Sequence, residues 1–180
     1  SCNQYDVQFF SICNDQITEY FKLLSVTTTG CEQCSSVDYC TRNRPNAEFE
    51  WLDHIAIDQQ SFLNGNNSGY GNFIGTPFRW QLDKNIQHSI LITPGYLEDS
   101  SLVHMVAWID FNQNGIFESS ENILKPGLKS KKEELCIFTI PSNAKLGITR
   151  MRIMVKYAEN NIEAPTPCFQ SLEFGEYEEY

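Results

Sequence analysis

Apolar and polar residues alternate with a period of two in several short segments of the chain. In residues 149–157, every second side chain is apolar and most of the residues between them are basic. Successive side chains of a strand point to opposite faces, so this pattern predicts a half-buried strand. Residues 48–58 alternate in a similar way, and their predicted core face comprises Phe49, Trp51, Ile55 and Ile57.

Other segments are apolar without a clear alternation. Residues 103–109 and 135–140 are nearly continuous apolar runs, which is typical of central strands covered on both faces. Residues 78–82 and 90–92 predict two further strands, the second of which ends before Pro94-Gly95. Near the amino terminus, residues 14–24 have helical spacing, but residues 20–26 also fit a strand, and the sequence leaves both open.

The segments between these predicted strands are rich in Gly, Asn, Ser and Pro. Several short strands at such spacing predict an all-β fold, either an antiparallel β-sandwich or a barrel. The basic run at residues 129–132 is followed by two glutamates and is interpreted as a solvated hairpin turn.

Oxygen-bearing side chains follow the apolar run at 103–109 with the spacing of a calcium loop. Ca²⁺ takes six to eight oxygen ligands, and a 12-residue loop can supply them from alternate positions. Loop positions 1, 3, 5, 7, 9 and 12 correspond to Asp110, Asn112, Asn114, the carbonyl of Ile116, Glu118 and Glu121, with Gly115 at the sharp turn. We therefore predict Ca²⁺ as a cofactor, bound with moderate affinity. The alternative is a metal-free series of Asx turns that ends in a left-handed glycine.

Cysteine content indicates an oxidising compartment. The chain has seven cysteines, and most of them lie in its first forty residues, at Cys2, Cys13, Cys31, Cys34 and Cys40. Reducing compartments rarely maintain disulfides, so this density predicts a secreted or cell-surface protein. Zinc held by Cys31 and Cys34 is an alternative, but it requires a second pair of ligands. Asn66 begins an N-glycosylation triplet, which agrees with secretion.

The net charge of the chain excludes some partners. With a formal charge of -10, the protein repels nucleic acid and anionic lipid. No apolar run approaches the length of a membrane-spanning helix, and the chain begins without a signal-peptide core, so we expect a processed chain without membrane insertion.

Catalytic motifs are missing from the sequence, which contains no Gly-x-Ser-x-Gly elbow, no His-Glu-x-x-His motif and no phosphate-binding glycine loop. We therefore expect no enzymatic activity. A carbohydrate-binding module would need exposed aromatic side chains, for which the candidates are Trp51, Tyr70, Trp80, Tyr96 and Tyr177.

Four ordered motifs resemble the GEVED domain, a family named for its closing Gly-Glu-Val-Glu-Asp sequence. They are Trp-Ile-Asp-Phe-Asn-Gln-Asn-Gly-Ile-Phe at 108–117, Gly-Ile-Thr-Arg-Met-Arg at 147–152, Pro-Cys at 167–168 and Gly-Glu-Tyr-Glu-Glu-Tyr at 175–180. The resemblance implies an antiparallel, jelly-roll-like β-sandwich over residues 39–180. The Cys-rich segment of residues 1–38 lies outside the resemblance, and we expect it to pack on the sandwich or on a neighbour.

The resemblance also directs attention to the cysteines and to the acidic tail. Cys40 and Cys168 bracket the matched region and are expected to form a disulfide, which leaves Cys2, Cys13, Cys31 and Cys34 to form two bridges of undetermined pairing. Cys136 is then expected to be a buried free thiol. The closing glutamates Glu176, Glu178 and Glu179 are either an additional acidic site or a solvated strand edge.

GEVED domains are known from secreted, surface and adhesin-like proteins. The resemblance implies a non-catalytic structural or adhesive surface component, including a filament subunit, with protein neighbours or further copies of the chain as partners. A lectin-like module that binds an extracellular glycan is the alternative.

Overall fold

The computed structural model describes residues 4–13, 16–27, 37–41, 43–159, 163–168 and 173–180. The chain divides into two compact units, Ser1–Val37 and Asp38–Tyr180. In the first unit, β1 (Gln4–Cys13) and β2 (Gln16–Thr27) form an antiparallel hairpin with a register shift between Phe9 and Ser11. Residues 16–26 of the ambiguous amino-terminal segment are therefore in a strand.

The pairing of the amino-terminal cysteines stays a prediction. Cys2, Cys31 and Cys34 lie outside the described residues, as does the side chain of Cys13.

The second unit contains two sheets, and the predicted all-β sandwich is confirmed. One sheet has the order β4-β3-β6-β9, with β3 at Glu50–Ile57, β4 at Gln60–Leu63, β6 at Gln87–Tyr96 and β9 at Glu134–Thr139. The other has the order β5-β11-β10-β7-β8, with β5 at Tyr70–Asn72, β7 at Val103–Ile109, β8 at Lys129–Ser130, β10 at Met151–Tyr157 and β11 at Gly175–Glu179. Neighbouring strands are antiparallel except β5 and β11, which are parallel.

The hydrophobic core lies between the two sheets. Inward-facing residues of the four-stranded sheet, such as Ile55 and Ile92, pack in one cluster with Met105 and Ile153 of the five-stranded sheet, and all four are fully buried. Strand β7 is buried along its whole length, as the continuous apolar run predicts. No helix in the described residues is long and apolar enough to cross a membrane.

Strand β10 differs from its prediction because both of its faces are covered. Arg152 and Lys156, which the alternation assigns to solvent, are buried. The outer face of the five-stranded sheet carries a second apolar cluster that includes Trp108, Met154 and Tyr177, and Tyr39 and Tyr70 pack against it. These two tyrosines come from segments distant in sequence, so local alternation alone does not reveal the cover.

The predicted core face of β3 was wrong at its start. Phe49 is 50% exposed and Trp51 is partly buried, whereas Leu52 is fully buried. A register shift between Leu52 and His54 changes which side chains face the core. The same irregularity lies opposite Pro94, so β6 continues through this proline to Tyr96 and does not end before it.

Two other strand predictions and the predicted hairpin turn require correction. Residues 78–82 form no strand. Strand β9 is an edge strand of its sheet, and Leu135 and Ile137 are exposed although Cys136 and Phe138 are buried. Residues 129–132 are not a hairpin turn, because β8 and β9 belong to different sheets. Cys136 is a buried free thiol, as expected.

Candidate functional site: the Asp110 loop and the buried acidic strand

The predicted calcium loop begins where β7 ends. Asp110 is fully buried; its Oδ1 accepts a hydrogen bond from the amide of Asn114 at 3.2 Å, and its Oδ2 accepts one from the amide of Gly115 at 2.9 Å. Gly115 has a φ of 84°, which is costly for other residues. The first half of the loop is therefore a tight turn closed on the Asp110 carboxylate.

Glu121 closes the second half of the loop. Its Oε1 accepts hydrogen bonds from the backbone amides of Phe111 at 2.8 Å and Asn112 at 3.3 Å. Its Oε2 accepts one from the amide of Glu118 at 3.0 Å. Burial raises the pKa of Glu121, and the nearby carboxylates of Glu118 and Asp110 add to this rise, while the backbone hydrogen bonds lower it. The loop thus holds three carboxylates close enough to repel one another.

The two asparagines of the loop face Glu118. Nδ2 of Asn112 donates to Oε2 of Glu118 at 2.7 Å, and Nδ2 of Asn114 donates to Oε1 at 2.8 Å. Oδ1 of Asn112 is buried and has no hydrogen-bond partner among the described residues. Rotation of the Asn112 side-chain amide by 180° would exchange its oxygen and nitrogen and place the oxygen beside the Glu118 carboxylate. A hard cation requires oxygen ligands at such a position.

The structure brings the predicted ligand residues into one loop, but not into a finished coordination shell. Within the described ranges, no three side chains of His, Cys, Asp or Glu form a group that could hold a metal ion. The reason is that Asp110 and Glu121 direct their oxygens at backbone amides of the loop. Ca²⁺ binding therefore stays a prediction that requires a local change in the loop.

Tyr39 anchors the loop from outside and was missed by the sequence analysis. Its hydroxyl donates to Oδ2 of Asp110 at 2.6 Å, and the guanidinium of Arg150 lies 4.4 Å from the centre of its ring. Thr149 donates its hydroxyl to the carbonyl oxygen of Asp110. Burial and the Asp110 carboxylate raise the pKa of Tyr39, so the tyrosine remains a hydrogen-bond donor. The only sequence signal for Tyr39 is its position beside Cys40.

The closing glutamates lie on β11, which is buried between β5 and β10. The interpretation as a solvated edge is therefore wrong. The Glu176 carboxylate accepts hydrogen bonds from the backbone amides of Leu52 at 3.0 Å, Asn67 at 2.7 Å and Gly69 at 3.3 Å. Burial raises the pKa of Glu176 against the effect of these three bonds.

Glu178 belongs to the same cluster as Glu176 and not to the Asp110 loop. It accepts a hydrogen bond from Nδ2 of Asn67 at 2.8 Å, and also from Asn64 and from the hydroxyl of Tyr180. Burial is the main cause that raises the pKa of Glu178 to about 8, and Glu176 adds to the rise.

Glu179 points to the opposite face of β11 and pairs with arginines. Oε1 of Glu179 accepts a hydrogen bond from Nε of Arg152 at 2.9 Å, and Oε2 accepts one from Nη1 of Arg150 at 3.2 Å. Arg152 also donates to the carbonyl oxygens of Cys40 and Pro167, each at 2.8 Å. These carbonyls flank the disulfide that joins Cys40 and Cys168, the bridge expected from the resemblance.

Asn66, the predicted glycosylation residue, is exposed in the loop before β5. Its Nδ2 donates to the carbonyl oxygen of Ala47 at 2.6 Å, and a glycan on this nitrogen would leave it one N–H for that hydrogen bond. Glycosylation stays a prediction.

We expect stability to fall between about pH 4.5 and pH 8 because of Glu178. Its pKa is raised from 4.5 to about 8 in the folded state, so the folded protein binds the proton more tightly than the unfolded chain. The stabilisation is complete below about pH 4.5 and is lost as the pH rises toward 8. Urea unfolding of the wild type and of Glu178→Gln across this range measures the effect. The variant should show a flatter profile, while Glu133→Gln, at an exposed position, should follow the wild type. Parallel profiles for wild type and Glu178→Gln would contradict the assignment.

Comparison with known proteins identifies the carboxyl-terminal part of the chain. A family model described as the GEVED domain matches residues 104–180. This range begins in β7 and contains the Asp110 loop, β10 and β11. No curated protein and no solved structure matched the chain. The predicted resemblance to the GEVED domain is thus confirmed over residues 104–180.

Proposed function

We propose that this protein is a non-catalytic, calcium-binding β-sandwich that serves as a structural or adhesive component outside the cell. Three features support the proposal: the Asp110–Glu121 loop, the GEVED match and the Cys40–Cys168 disulfide. A disulfide is maintained in oxidising compartments, which is why we assign the protein to the extracellular space or the cell surface.

The electrostatics of the loop carry the calcium assignment. Asp110, Glu118 and Glu121 gather in one short loop, and none of the described lysines, arginines or histidines forms an ion pair with them. Partly buried carboxylates that repel one another are stabilised by a cation. Asn112 offers a further oxygen ligand, and the lack of a hydrogen-bond partner for its buried Oδ1 is the single observation that most favours cation binding.

The surface of the sandwich supports the proposed structural or adhesive role. Edge strand β9 exposes Leu135 and Ile137, together with a row of backbone groups that another strand can pair with. Other copies of the chain or neighbouring surface proteins are the proposed partners.

Thermal unfolding in millimolar calcium and in EGTA tests the proposal. A ligand that binds only the folded state stabilises it by about 2.7 kcal/mol at a hundredfold excess over its Kd, which is a shift of several degrees. Glu118→Gln is the informative variant, because it removes one charge from a partly exposed side chain and retains its shape. Asp110→Ala is unsuitable, since it deletes the acceptor of Tyr39 and of two backbone amides.

We expect Glu118→Gln to lose most of the calcium-dependent shift. Glu133→Gln removes the same charge from an exposed position outside the loop and should retain the whole shift. Equal melting temperatures with calcium and EGTA in the wild type would reduce the loop to a metal-free turn.

A carbohydrate-binding role is the second candidate function. It is favoured by a cavity of about 390 Å³ that is lined by the partly exposed candidate Tyr70. The candidate Tyr177 also lines the cavity, but it is buried and not exposed as expected.

A further inference from the structure

A cavity of about 390 Å³ lies at the outer face of the five-stranded sheet, outside the calcium loop. Its lining includes the aromatic residues Tyr39 and Tyr70 and the charged residues Arg44, Arg150, Arg152 and Glu179. The volume falls in the range of small-molecule sites, and mixed aromatic and polar walls are typical of such sites.

The cavity carries an excess of positive charge in a protein whose net charge is -10. Its lining has three guanidinium groups and one carboxylate, that of Glu179, which contacts both Arg150 and Arg152. Arg44 is exposed, and it forms no ion pair with any carboxylate in the described residues. Asp110, which accepts a hydrogen bond from the hydroxyl of Tyr39, is fully buried and does not line the cavity.

The arginines differ in what they can offer a ligand. Arg152 is 2% exposed, and its guanidinium is committed to Glu179 and to two backbone carbonyls. Arg150 is 23% exposed along its side chain and contacts Glu179 through Nη1. Arg44 and the remaining nitrogens of Arg150 are therefore the donors available for an anion.

The shape of these donors selects a carboxylate-bearing ligand. A guanidinium presents parallel N–H groups that match the two oxygens of a carboxylate. The net charge of -10 disfavours a ligand with many negative charges, so a single carboxylate on an otherwise neutral molecule is favoured. Tyr70, which is partly exposed and stacks on Tyr177, supplies a flat apolar surface against which the C–H face of a sugar ring packs. The ring of Tyr39 contacts the Arg150 guanidinium and Phe117 and borders the cavity beside it.

We propose that this cavity binds a carboxylate-bearing sugar residue of the hexuronate class, with the carboxylate held by Arg44 and Arg150 and the sugar ring beside Tyr39 and Tyr70. The site gives the protein a route to acidic extracellular polysaccharide. It does not rest on the calcium proposal, because no predicted calcium ligand lines the cavity.

Calorimetric titration in EGTA with methyl galacturonoside and methyl galactoside tests the proposal. Working in EGTA prevents calcium from bridging sugar and protein, so a failure of the calcium loop does not affect the result. We expect saturable binding of the uronide, at least tenfold tighter than that of the neutral galactoside. Acetate, which carries the carboxylate without the ring, should also bind at least tenfold more weakly than the uronide.

Arg44→Gln is the matched variant, because Arg44 is exposed and its replacement leaves the buried ion pair intact. We expect it to weaken uronide binding about tenfold, which is the loss of one charged contact. Arg79→Gln removes the same charge from an exposed residue that does not line this cavity and should bind like the wild type. Absence of uronide binding, equal affinity for the galactoside or for acetate, or unchanged affinity in Arg44→Gln would each overturn the proposal.

Discussion

Removal of the disulfide between Cys40 and Cys168 is expected to lower the free energy of unfolding by about 4 to 5 kcal/mol. The two residues are 128 positions apart, so the bridge restricts a long loop of the unfolded chain. In the chain-entropy description, a disulfide that closes a loop of this length raises the free energy of unfolding by about 5 kcal/mol. The bridge also holds the carbonyl of Cys40 against Arg152, so its loss frees the segment that contains Tyr39.

The double variant Cys40→Ala/Cys168→Ala is preferable to a reductant, because a reductant would also act on the other cysteines. Urea unfolding of this variant gives the change in free energy. Cys136→Ala is the control, since it removes a buried sulfur that closes no loop. A double variant that loses less than about 1 kcal/mol beyond the control would show that the bridge does not stabilise the fold through its loop.

Replacement of Arg152 by methionine is expected to cost about 3 to 5 kcal/mol. This side chain is buried, and methionine would leave the carboxylate of Glu179 in the interior without its main partner. The carbonyl oxygens of Cys40 and Pro167 would also lose a donor.

Arg150→Gln provides the matched comparison for this ion pair. Arg150 contacts the same Glu179 carboxylate at 3.2 Å, but it is partly exposed, and exposed pairs contribute about 1 kcal/mol or less. Chemical denaturation of both variants should therefore give a several-fold larger loss for Arg152→Met. Adding Glu179→Gln to Arg152→Met should recover part of the loss, since it removes the unpaired charge. Equal losses for the two arginine variants would contradict this account of β10.

The all-β architecture could be predicted from the sequence because the signals of its central strands are local. Strand β7 is a continuous apolar run and is buried on both faces. The loop at Asp110–Glu121 was also visible, since acidic and amide residues recur there at fixed spacing next to a glycine with positive φ. In both cases, the signal lies in residues that are close together in the sequence.

The parts that escaped prediction depend on distant residues. The core face of β3 changes at the irregularity between Leu52 and His54, and the burial of Arg152 requires Tyr39 and Tyr70 to cover the outer face of the sheet. From the sequence alone, a run of glutamates indicates a solvated strand edge, because the sequence does not show the hydrogen-bond partners that allow these side chains to be buried.

The partners of the buried acidic strand illustrate this dependence. Glu176 and Glu178 accept hydrogen bonds from residues 52 and 64–69, more than one hundred positions earlier in the chain. Only the folded topology, with β11 between β5 and β10, brings these groups together. Such long-range pairing leaves no periodic signal in the sequence.

Direct measurement of calcium binding shows whether the Asp110–Glu121 loop is a calcium site. Equilibrium dialysis of the folded protein against radioactive calcium, with Glu118→Gln and Glu133→Gln in parallel, counts the bound ions without reference to stability. The account predicts one ion bound per chain at millimolar calcium in the wild type and in Glu133→Gln, and most of this binding lost in Glu118→Gln. No bound calcium in the wild type, or the same binding in Glu118→Gln, would contradict the assignment of the Asp110–Glu121 loop as a calcium site.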